Sequence, residues 1–522
     1  MEETFTCDTF RNSCDDLDAI LSINRYNEQW KDDATWILTS SFVILTMQSG
    51  FGLLEIGAST AGNEVNTMLK NVADILFGAL AFYCVGFGVA YGEPSNFFMG
   101  LGDFFPEGDE VAVESGILYA RYLFQLSFAA TSATIVSGCI AMRMRFIVYC
   151  IFAFYAVVIY SFVAHWVWAP GGWLGDLGFH DFAGGAAVHL HGAVNGFVAI
   201  LFVGSRRGRF DGSRPESDFE ESSPISMLFG LFMLWWGWIG FNCGSTFGIA
   251  NDKWIVAARA GVNTLNASSA GGIVAMIYTA IRSGGKYVHP SDVVNGILGA
   301  LVASSPTCAT SHGYESLVIG AVGSLIANWV NNTLMKERLH LDDPVGAIGV
   351  HLGGGLWGCI AVGLFADASL PGAGIDNSGL FRGGGFELMG KQLIGIAAIS
   401  AWSLLTMPPF FYIVGVLFSR DWKNPRLGLR HEYDKMDPNV HGCTEDPTDK
   451  INEMIRLALA LRDQTHIGDK SRVGVLTGMT DVSGSYRHNL STGNLSATAE
   501  EYADSKRQDT VLEEYDSGEI SC

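Results

Sequence analysis

The fold signal of this chain lies in two stretches, 181-DFAGGAAVHLHGAVNG-196 and 342-DDPVGAIGVHLGGGLWG-358. Each sets a histidine, His189 or His351, eight residues after an aspartate, Asp181 or Asp343. Both histidines sit in a Val-His-Leu setting inside an apolar, glycine-rich run. The shared spacing and neighbours point to an internal duplication. Runs of roughly 20 apolar residues are long enough to cross a bilayer. An ionisable side chain inside such a run is costly and marks function by default. His189 and His351 are therefore the first candidates for the chemistry of this protein.

Working outward, eleven such runs are expected: 34-57, 72-92, 118-141, 145-168, 183-205, 223-245, 256-281, 291-311, 315-335, 344-366 and 389-418. No Lys, Arg, Asp or Glu is expected in the middle of any of them. The composition agrees, with 49% hydrophobic and 16% charged residues against about 25% charged in a soluble domain. A net charge of -21 excludes a nucleic-acid partner, which needs a basic surface. Two histidines fall short of the three or more protein ligands of a zinc site. With no carboxylate base nearby in the sequence, an enzyme is not expected, nor is a cofactor.

Basic residues alternate between connections. Lys70, Arg143, Arg145, Arg206, Arg207, Arg209, Arg214, Arg282, Lys286, Lys336 and Arg338 flank or fill the odd-numbered gaps. The positive-inside rule makes those gaps cytoplasmic. Residues 1-33 then form an extracellular tail, where Cys7 and Cys14 are free to pair, and the C-terminus faces the cytoplasm. The expected fold is an all-α polytopic membrane protein with a membrane domain over 34-418. Two five-helix repeats, about 34-205 and 223-366, precede a last helix at 389-418. An odd-numbered repeat re-enters from the opposite side, so the two are inverted. The histidine runs then start from opposite faces. Eight helical residues advance about 12 Å through a core about 30 Å thick, which leaves the imidazoles ~6 Å apart in depth and within reach of a hydrogen bond. Asp343-Pro344 reads as a helix cap followed by a first-turn proline, and Asp181 as a cap or an orienting group near the site. His191, about 200° around the helix from His189, is expected to pack elsewhere.

At these residues the chain resembles the ammonium transporter family (Amt/Mep/Rh). The stretches around His189 and His351 are similar to its two pore-histidine segments. Residues 124-FQLSFAA-130 and 237-GWIGFNCGS-245 match two further motifs, and 52-GLLEIG-57 looks like animal members. The resemblance implies pore histidines at His189 and His351, stacked gate rings at Phe128 and Phe241, and an external cage at Phe124, Trp168 and Ser245. It places Tyr160 as a further aromatic edge of the vestibule. It also implies ammonium or ammonia as substrate, with methylammonium as analogue, and a homotrimer in the cell membrane's lipid bilayer. Trp168 and Ser245 favour the ammonium transporter branch over a neutral Rh-like gas channel; an ammonium sensor is the other alternative. Departures are Leu352 after His351, His191, and Lys435 and Asn439 in 430-RHEYDKMDPNVHG-442. A cytoplasmic regulatory segment is expected over 419-463, with a helix at 448-463, and a disordered tail over 464-522.

Overall fold

The computed structural model describes residues 7–108, 113–419, 426 and 435–443, and in the first helix its side chains from Glu28 onward. The expected helix at 448-463, the tail beyond it, most of the regulatory segment and the Cys7 and Cys14 side chains lie outside the described residues. Contacts divide the chain into residues 1–210 with 214–442, and 211–213 with 443–522. Every described helix belongs to the first unit.

Apart from two isolated β-bridges, the regular secondary structure of that unit is helical among its described residues. The helices are α1 Cys7–Ala58, α2 Glu64–Tyr91, α3 Val113–Cys139, α4 Phe146–Trp168, α5 Gly185–Val203 and α6 Pro224–Gly244. There follow α7 Lys253–Arg282, α8 Pro290–Ser304, α9 Gly313–Leu339, α10 Ile348–Phe365, α11 Glu387–Ser419 and the short α12 Met436–His441. Nine are long and apolar enough to cross a bilayer. The other two of the expected series are α3 and α8. At 15 residues, α8 is about 22 Å long, short of a full crossing. It is buried along almost its whole length, and the irregular turns after it are buried too. Irregular backbone at membrane depth is tolerated where protein, not lipid, surrounds it.

The two halves pack alike. α1 runs along α6, the first helix of each half; α2 pairs with α4 as α7 does with α9, and α3 with α5 as α8 does with α10. The halves also meet at a second seam, where α5 lies against α10. A Cβ on Gly355 would stand 2.6 Å from the Gly185 carbonyl oxygen. Only a bare backbone allows this approach, the role small residues play between membrane helices.

Three expectations are corrected. First, α2 begins at Glu64 rather than 72, so Lys70 is no loop charge: it and Asp74 lie within α2, buried with Glu55 of α1. Charge does enter the spans, and it is hidden in the packing between helices. Second, Arg143 and Arg206 are buried as well, both paired with Asp342. Third, the helix entering the first span already starts at Cys7, so most of residues 1-33 continue it.

The C-terminal segment docks on the same end of the bundle. Asp437 accepts the Asn66 and Val65 backbone N–H groups at 2.8 and 2.9 Å, capping the exposed donors of α2's first turn. Met436 is buried against Ala141 and Met142.

Candidate functional site

The local fold that presents each histidine is the same on both sides of the seam. Asp181 is followed three residues later by Gly184, and Asp343 by Gly346; both glycines have a φ of +79°, a conformation that penalises a Cβ. The Asp181 carboxylate accepts N–H groups from Gly185, Ala186 and Ala187 at 2.7, 2.8 and 2.9 Å. That of Asp343 accepts from Gly346 and Ile348 at 3.0 and 2.7 Å. Both aspartates are thus caps, and the helix each starts is wound as a π turn, Gly185–Leu190 and Ile348–Gly353. The histidine falls five residues after the glycine in both. Wide π turns inside α-helices are frequent at functional sites, and here they set the imidazoles at the seam.

The rings meet. His351 Nδ1 and His189 Nδ1 are 3.2 Å apart, with ring centroids at 5.2 Å and planes 19° from parallel. One ring donates and the other accepts, so the two neutral imidazoles hold opposite tautomers. His189 Nε2 is buried without a hydrogen-bond partner among the described residues. The outward edge of the pair is thus free to hydrogen-bond a guest. Apolar rings frame it: Trp238 stacks on His189 at 5.0 Å and 17°, Phe241 lies 5.6 Å from the same ring, and Phe51 lies 6.4 Å from His351.

Above His189 the file continues. Phe241 stacks on Phe128 at 3.9 Å and 8°, and Phe128 contacts Phe124 at 4.8 Å and Trp168 at 5.8 Å. The Trp168 indole N–H donates to the Asp181 carbonyl at 2.8 Å, which ties the outer ring to the start of the His189 helix. The Ser245 hydroxyl donates to the Phe241 carbonyl at 2.9 Å, leaving its oxygen lone pairs as acceptors. Below His351 lies a cavity of about 20 Å³, room for one molecule the size of water.

Phe124, Phe128, Trp168, Phe241, Ser245, His189 and His351 are therefore brought into one file. Tyr160 is not. It lies eight residues before Trp168 on α4, about 12 Å further down the helix, buried with its ring 6.0 Å from His191. The position is internal, not a vestibule edge. His191 faces away from the file and contacts Ser132 at 3.1 Å. Two further contributors escaped the sequence. Trp238 precedes Phe241 by three residues and so shares its helix face, a signal that was readable. Phe247 covers Phe124 at 4.9 Å from a turn where its φ is +50°, which nothing local foretells. The expected absence of a nearby carboxylate is also corrected, since Glu55 lines the lower cavity together with His351.

Known proteins resemble the chain over this same region. Residues 35–442 match the family profile described as Ammonium Transporter Family. "Putative ammonium transporter 3" of Caenorhabditis elegans is 42% identical over 388 residues, which is 72% of this chain and 56% of that protein's length. "Putative ammonium transporter 2" of the same organism is 37% identical over 394 residues, 72% of this chain and 75% of its own. A solved structure named "Sensor Amt Protein" superposes with a TM-score of 0.70 at 28% identity, covering 80% of this chain and all of that one. A paired-histidine file through an inverted helical repeat, together with a match that runs the length of the membrane unit, places the chain in the ammonium transporter family.

Proposed function

We propose that this protein carries ammonium across the cell membrane by stripping its proton at an aromatic cage and conducting ammonia through the histidine file. The observation that carries this reading is the unbroken sequence of cage, stacked rings and touching imidazoles. Trp168 and Phe124 offer ring faces to a small cation, each contact worth about 0.5–2 kcal/mol, and the Ser245 oxygen accepts one of its N–H groups. Ring faces alone do not separate ammonium from potassium. Deprotonation does, because potassium has no proton to release. At pH 7, releasing the proton of ammonium (pKa about 9) costs about 3 kcal/mol at 1.36 kcal/mol per unit. Carrying an intact ion through a buried apolar constriction costs far more. The Phe128–Phe241 stack closes the file to ions and opens to ammonia when the rings part. His189 and His351 then replace the hydrogen bonds that ammonia left behind in water.

In this reading the cage opens to the outside, and the face bearing Arg143, Arg206 and the C-terminal segment is cytoplasmic, as the basic loops require. Three such subunits, each with its own conduit, form the assembly. The cage residues favour transport of ammonium over a neutral gas channel.

The test is uptake of methylammonium in cells that lack their own ammonium uptake. Trp168→Leu removes one cation–ring contact, so half-saturation is expected to rise about 2- to 30-fold, with protein at the cell surface unchanged. Equal half-saturation in variant and parent would remove Trp168 from the capture site.

A further inference from the structure

Beyond His351, on the side away from the cage, the small cavity is lined by Glu55 as well as the imidazole, with Phe51, Leu54, Val345 and Val350 around them. Glu55 is 2% exposed. One of its oxygens accepts from the Ser137 hydroxyl and the other from the Asn71 amide at 2.9 Å. Behind it Asp74, wholly buried, is met by the Tyr149 hydroxyl at 2.8 Å and the Thr134 hydroxyl at 3.1 Å. Lys70, also wholly buried, has no hydrogen-bond partner for its ammonium group among the described residues, and the Tyr149 ring face lies 5.6 Å away. Asp343 and Cys139 are the other titratable groups within electrostatic reach of Glu55. Asp343 is engaged as a helix cap, and Arg143, near Lys70, is engaged by Asp342.

Two buried carboxyl groups thus lie within electrostatic reach of one buried ammonium. With both ionised the cluster carries one uncompensated negative charge, which a low-dielectric interior penalises heavily. One proton on either carboxyl group removes it. Of the two, Glu55 is the one that faces the cavity, and therefore the one whose proton can be exchanged with a guest.

We infer that Glu55 relays protons at the exit of the conduit. The inference rests on the ammonia-conducting reading above. Ammonia that has passed His351 enters the cavity; the Glu55 O–H bond breaks, an N–H bond forms, and ammonium leaves behind a carboxylate. A proton that arrives on the free Nε2 of His189 is handed across the Nδ1–Nδ1 contact, breaks from His351 and reforms the O–H of Glu55 through the cavity's occupant. One ammonium enters the file, one leaves it, and one positive charge crosses with each.

The experiment compares ammonium-evoked current with total flux, read as uptake of labelled methylammonium, in liposomes holding the full-length protein. Glu55→Gln keeps the size of the side chain and loses the exchangeable proton. The ratio of current to flux is expected to fall about tenfold or more, and Glu55→Asp to restore part of it. An unchanged ratio, or current and flux lost in equal proportion, would show a structural role and overturn the inference. Flux without current in the parent protein also overturns it while leaving ammonia conduction standing; no ammonium transport by the parent would instead sink the underlying reading. Should Glu55→Gln fail to assemble, the infrared difference spectrum of the parent on ammonium addition decides. A buried-carboxyl band that responds to ammonium supports the relay, and its absence overturns it.

Discussion

Alanine in place of His189 is expected to slow methylammonium uptake about fivefold to a hundredfold, and His351→Ala to do the same. The two Nδ1 atoms are each other's partner at 3.2 Å, and the rings around them are apolar. Truncating one imidazole leaves the other's buried nitrogen unpaired, a penalty of about 1–3 kcal/mol. It also removes half of the hydrogen bonding offered to a guest beside the paired rings. If that loss falls on the transit barrier, each 1.4 kcal/mol is a factor of about ten in rate. The measurement is the initial rate of uptake, normalised to protein at the surface. Parental rates in both variants would take the pair out of the mechanism.

The second large effect is structural. Asp342→Ala is expected to destabilise the purified protein by about 3–5 kcal/mol, read as a lower denaturation midpoint. Its carboxylate receives Arg143 at 2.8 Å and Arg206 through Nε at 2.7 Å and Nη2 at 3.0 Å. The Arg143 side chain is wholly buried, so without the carboxylate its charge loses its ion-pair partner. Burial alone would raise the Asp342 carboxyl; the charges of Arg206 and Arg143 overcome that and hold it well below the usual carboxylate range. A carboxyl depressed on folding adds stability above its unfolded pKa of about 4 and loses it as pH falls toward the folded value. The parent protein should therefore weaken in acid from about pH 4 downward, and Asp342→Asn should lack this part of the acid response. Asp343, the next residue, caps the His351 helix. The cluster thus anchors the start of one pore helix, and transport should fall with stability.

What was legible in the sequence was whatever is written in contiguous residues. The Asp–His spacing of 181–189 and 343–351 recurs in contiguous residues and pointed to a duplication, and the odd number of spans in each repeat then implied inverted halves with facing imidazoles. Phe128, Phe241, Trp168 and Ser245 were placed by motif. Charge hidden by tertiary partners was not legible. Lys70 and Asp74 precede or interrupt an apolar run and look like a loop boundary, yet Glu55, Tyr149 and Thr134 from three other helices surround them. Tyr160 was misplaced because aromatic type says nothing about depth, whereas its helical distance from Trp168 does. The π turns were invisible for a related reason: they arise when Asp181 and Asp343 gather successive N–H groups, a geometry that hydrophobic periodicity does not encode.

The central claim is that a proton is removed before passage, and potassium tests it most directly. Liposomes containing the protein should take up ammonium or methylammonium down an imposed gradient and show no protein-dependent movement of potassium at the same concentration. A potassium conductance comparable with that for ammonium would contradict the account, because potassium crosses such a file only as an intact ion.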